Sequence, residues 1–138
     1  MKVDAENRIV GRLGSTVARK VKEGEEIDIV NAEKAVISGD RQDVIEDYRQ
    51  KYERGSRDFG PYYPKRPDKI LKRIITRMLP DSKEEDLDSK VKTYLADPMN
   101  GEAEELGVKK GEELRNRNYV KLEDISKSLG WKPRIEVE

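Results

Sequence analysis

The chain has 138 residues, 42% of them charged, and its 29 basic residues balance 29 acidic ones. It contains no cysteine and no histidine, which removes disulfides, thiol nucleophiles, the usual zinc ligands and the commonest general base. One domain spanning 1–138 is expected at this length, and the balance of charge speaks against a disordered polyelectrolyte.

Met1–Ala5 is short and partly apolar, a first strand. From Arg8, the positions Ile9, Val10, Leu13, Val17 and Val21 recur with a helical period that stops at Gly24. The run IDIV at 27–30 reads as a buried strand, NAEK as a turn, and AVIS at 35–38 as a second short apolar run. Asp40 is placed to cap a helix reaching about Arg54 and presenting Val44, Ile45 and Tyr48. A long loop rich in glycine and proline follows, from Gly55 to Pro67. Pro67 then opens a helix to Leu79, because proline lacks only an N–H that the first turn leaves unused. Ile70, Leu71, Ile74, Ile75, Met78 and Leu79 make one apolar stripe along it, with Lys69, Lys72, Arg73 and Arg77 on the other side.

Beyond Pro80 the acidic run DSKEEDLDSK leads to a strand at VKTYL, 91–95, and residues 97–117 read as a surface excursion. YVKL and the helix EDISKSLG close the chain, with Trp131 packing after them. Strand, helix, strand and helix in this order favour an α/β class: a mostly parallel sheet of about four strands flanked by helices. The expected organisation is a core over about 2–95 and a small C-terminal helical extension over about 96–138. No signal peptide or membrane-length apolar run is visible, so a cytoplasmic protein without a membrane partner is expected.

The neutral total conceals a segregation. Residues 49–80 carry ten basic and three acidic side chains, whereas residues 81–105 carry three and nine. Five of the eight aromatics, Tyr48, Tyr52, Phe59, Tyr62 and Tyr63, fall in or just before the basic segment. Cations attract phosphates, and aromatic or guanidinium planes stack on unpaired bases, so Arg54, Arg57, Tyr62, Tyr63, Lys65, Arg66, Lys69, Lys72, Arg73 and Arg77 are candidate RNA contacts. Two rivals stand beside this reading. PYYP and PKRP fit a polyproline ligand, a pattern common by chance. GRLGST, residues 11–16, offers two glycines and two hydroxyls to a phosphate, as in a small α/β nucleotide-binding enzyme. Its spacing fits neither the P-loop nor the dinucleotide fingerprint, and packing of Gly11 and Gly14 where the helix crosses the sheet is the plainer account. The acids Glu84, Glu85, Asp86 and Asp88 are adjacent on one segment, a solvated face rather than a metal site.

Several ordered blocks resemble a known family. VDAENRIVGRLGSTVARKV, IDIVNAEKAVISG, GPYYPKRPDKILKRIITRMLP and KVKTYL are similar to successive blocks of the universal family of ribosomal large-subunit protein thirteen, over about residues 2–95. The Tyr-Pro-Lys-Arg-Pro-Asp form and the ending YVKLEDISKSLGW resemble its archaeal branch. The resemblance implies an α/β domain lodged on large-subunit ribosomal RNA beside neighbouring ribosomal proteins, an architectural role in assembly and translation, no catalysis, no cofactor and no homo-oligomer. It adds Arg12, within the Gly11-Arg12-Leu13 block, to the RNA contacts, and it matches Lys65-Arg66-Pro67 to the RNA-facing loop. Thr76-Arg77 stands where the family usually has Arg-Gly, and the acidic 81–90 segment replaces a basic one, so residues 81–90 are left out of the site.

Overall fold

The computed structural model describes residues 1–53, 64–79, 87–97, 103 and 118–132. Three short parallel strands, β1 (Lys2–Asp4), β2 (Ile27–Val30) and β4 (Val91–Thr93), form a sheet in the order β1-β2-β4. Val3 lies opposite Ile29, and Ile29 opposite Thr93. β2 takes the centre because its residues are apolar on both faces: Ile27, Ile29 and Val30 are all buried, as a strand covered on each side requires.

Helix α1 (Val10–Lys22) connects β1 to β2 and buries Val10, Leu13, Val17 and Val21, the period seen in the sequence. Its end is built by Gly24, whose φ of 102° only glycine adopts freely. The N–H groups of Gly24 and Glu25 turn back to the carbonyls of Val21 and Lys20, satisfying acceptors that the helix end leaves open. Asn31, at φ 57°, starts a 3-10 turn at Ala32–Lys34 where a plain turn is expected. Helix α2 (Arg41–Glu53) is capped by Asp40, whose Oδ1 accepts the N–H of Gln42 at 3.0 Å.

The apolar run at 35–38 supplies β3 (Val36–Ser38), but β3 does not join the parallel sheet. It pairs antiparallel with β5 (Tyr119–Lys121), Ile37 opposite Val120. Helix α4 (Leu122–Ser128) follows at once, and its Leu122 and Ile125 are fully buried in the same core as Ile29, Leu71 and Ile75. The α/β expectation therefore holds, with the strands divided between a parallel sheet and an antiparallel pair.

Helix α3 (Pro67–Thr76) stops three residues short of the expected Leu79. Met78 and Leu79 donate to Ile75 and Thr76, a tighter i to i−3 turn that breaks the helical period of the stripe, although Leu79 still packs against the core. Met78 is 37% exposed. Ile70, Leu71 and Ile75 are fully buried, while Ile74 is half-buried. α3 packs between α1, β4 and α4. Among the described residues no helix is long and apolar enough to cross a membrane.

Candidate nucleic-acid interface

The start of α3 places two of the candidate cations. Arg66 occupies the N-cap position with extended backbone, φ −72° and ψ 137°, the region that a following proline enforces. Its carbonyl accepts the first helical hydrogen bond, from Ile70 N–H at 3.0 Å. Its guanidinium Nη2 donates to Asp68 Oδ2 at 3.2 Å. Lys65 extends its Nζ over the ring of Tyr52 in α2, 5.8 Å from the centroid, so α2 and the approach to α3 meet there. Lys69 and Arg77 are exposed, Lys72 is half-buried, and all three lie clear of the core. Among the described residues Arg12, Lys69, Lys72 and Arg77 form no ion pair, so their charge is turned outward. Arg73 differs. It is half-buried like Lys72, but its Nε is out of reach of solvent and its side chain has an interaction within the protein.

Arg12 comes from another element but reaches the same neighbourhood. It is exposed in the first turn of α1 and, with Ile9 and Val10, lines a cleft of about 400 Å³ whose far wall holds Tyr48 of α2 and Ile74 of α3. The lining is mostly apolar, and Arg12 is its one charged side chain among the described residues. Among its described lining residues there is no paired acid and base with which to move a proton. Arg54, Arg57, Tyr62 and Tyr63 lie outside the described residues, as do the acidic positions 81–86.

GRLGST does not form a loop. Residues 11–16 lie inside α1, and the hydroxyls of Ser15 and Thr16 both donate to the Arg12 carbonyl at 3.0 Å. They satisfy their own helix and are not aimed at a ligand. The two glycines also separate. A Cβ on Gly14 would stand 3.1 Å from Met78 Sδ and 3.5 Å from Ile75 Cγ1, so this glycine permits the close crossing of α1 on α3, not on the sheet. Gly11 has nothing within 4 Å of its Cβ position, and packing does not explain it. Sequence reasoning missed Tyr52 and Asp68 as partners of Lys65 and Arg66. Only the Arg-x-Asp spacing at 66–68 offered a signal.

Residues 1–99 match the family model described as ribosomal protein L13. The chain is also 45% identical over 136 residues to the large ribosomal subunit protein uL13 of Methanosarcina barkeri, covering 94% of this chain and 97% of that protein. The chain belongs to the ribosomal protein L13 family. Identity to the uL13 protein of Halobacterium salinarum is 44%, covering 93% and 89% of the two chains. To that of Methanopyrus kandleri it is 35%, covering 94% and 86%. The L13 family model ends before β5 and α4, whereas the match to the Methanosarcina protein takes in most of the chain beyond residue 99. The segment that completes the core here thus lies in the part shared with these L13 relatives.

Proposed function

We propose that this protein is a structural constituent of the large ribosomal subunit, working in the cytoplasm, where it binds and orders large-subunit ribosomal RNA during assembly and translation. The near-complete reciprocal match to proteins named as large ribosomal subunit protein uL13 carries the reading. The geometry supports where the RNA would lie: against Arg12, Lys65, Arg66, Lys69, Lys72 and Arg77, with Arg73 half-buried behind them. Arg54, Arg57, Tyr62 and Tyr63 extend the same proposed surface in sequence. Its neighbours are other large-subunit proteins. The role is architectural, not catalytic. No observation favours a nucleotide-binding enzyme, because GRLGST is helical and its hydroxyls are bonded within α1.

Binding to purified large-subunit RNA across a salt series tests the proposal. With about six phosphate contacts, log K is expected to fall against log salt with a slope of ~−4 to −5. A slope near zero, or saturable ATP binding by the RNA-free protein, would sink it.

A further inference from the structure

Within the most basic part of the chain, one carboxylate is out of place on electrostatic grounds. Asp68 is the second residue of α3, in a surface that otherwise presents positive charge to a polyanion. It is nevertheless 8% exposed, with Oδ1 buried and making no hydrogen bond among the described residues. Its position in the first turn of α3 suits the positive end of the helix dipole. Its backbone carbonyl accepts the hydroxyl of Thr93 at 2.8 Å, which ties it to β4. Its Oδ2 accepts Nη2 of Arg66 at 3.2 Å. The burial is lopsided across this pair: the Asp68 side chain is 11% exposed and that of Arg66 is 49% exposed. The carboxylate is therefore the anchored member and the guanidinium the presented one. Arginine has five N–H donors in a planar fork, and Asp68 engages one nitrogen, leaving the others for a second acceptor.

We propose that Asp68 is a positioning residue of the RNA interface: it holds the Arg66 guanidinium so that its open donors meet a backbone phosphate of the ribosomal RNA. The proposal rests on the RNA-binding reading above. Pro67 already confines the Arg66 backbone, and the carboxylate confines the far end of the side chain. The ordering of a long, flexible group is thus completed before RNA arrives, and binding loses less entropy.

The sign of one mutation separates this from charge alone. Asp68→Asn removes a negative group from an interface with a polyanion, so charge alone would tighten binding. Positioning requires the opposite, and the full-length variant is expected to bind large-subunit RNA about two- to tenfold more weakly. In an Arg66→Gln background the same change should no longer weaken binding, because no guanidinium remains to be placed. Arg66→Lys, which keeps the charge but not the fork, should fall between wild type and Arg66→Gln, and it reads the same contact should Asp68→Asn fail to fold by circular dichroism. Equal or tighter binding by Asp68→Asn, an equal loss with and without Arg66, or wild-type affinity in Arg66→Lys would each overturn the positioning role. Loss of RNA binding by the wild type itself would overturn the RNA-binding reading along with it.

Discussion

Helix α2 sets three basic residues among four acidic ones, while α3 sets three beside a single aspartate. In α2 the cations are taken within the protein. Lys51 lies 3.2 Å from Asp47 and 4.6 Å from the Tyr48 ring, Arg49 lies 3.9 Å from Glu46, and Arg41 reaches Asp124 of α4 at 3.3 Å. In α3, Lys69 and Lys72 have no acidic partner among the described residues, and Asp68 serves an arginine outside the helix. The inner faces diverge too: α2 fully buries only Tyr48, whereas α3 buries Ile70, Leu71 and Ile75. One helix has its cations paired within the protein and the other leaves Lys69 and Lys72 for a partner. Counting cations does not separate the two; the acid that each cation reaches in the folded chain does.

The comparison breaks most severely if α3 is not a core helix. Ile75→Ala should destabilise the fold by about 2–5 kcal/mol, because a fully buried side chain leaves a cavity among α1, α3 and α4. Ile74→Ala, one residue away but half-buried at the cleft, should lose about 1 kcal/mol or less. Chemical denaturation giving equal losses would show that the inner face of α3 is misassigned.

The outward face comes next. Replacing Lys69, Lys72 and Arg77 together by glutamine should flatten the salt dependence of RNA binding by ~2–3 in slope, three phosphate contacts being removed. Replacing Arg49 and Lys51 should change it far less, since those cations pair with Glu46 and Asp47 on α2. Equal flattening in the two variants would erase the distinction between the helices.

The smallest effect concerns the crossing of α1 on α3. Gly11→Ala adds a methyl to open space and improves helix propensity, so it should stabilise by about 0.5 kcal/mol. Gly14→Ala makes the same gain but must displace the tip of Met78, and its melting temperature should stay near that of the wild type. A higher melting temperature for Gly14→Ala than for Gly11→Ala would mean that the two helices do not meet at that residue.

Local periodicity made much of this legible. α1, the buried strand at 27–30, the Asp40 cap and the apolar stripe of α3 each announce themselves within a few residues, because the side-chain spacing is a property of the element itself. The partner of β3 is not local. Nothing in AVIS distinguishes a strand that joins β2 from one that waits for Tyr119–Lys121. The expected helix end at Leu79 failed because a final turn closed by i to i−3 bonds breaks the 3.6-residue period. At the site, composition picked out the cations, but not which of them turn outward. Arg73 shares the spacing of its neighbours but has its Nε shut off from solvent, while the partner of Lys65 is set by the meeting of α2 with the start of α3.

The β3–β5 pairing has a consequence for the order of events during synthesis. A ribosome delivers the chain from its N-terminus, so Val36–Ser38 emerges long before its partner, more than half the sequence later. Until then β3 offers an open edge to any neighbouring strand, and the places of Leu122 and Ile125 in the core stand empty. Only the arrival of the last elements closes the long loop and seals the interior together. A nascent chain halted before residue 118 should therefore behave as a sticky intermediate that depends on chaperones.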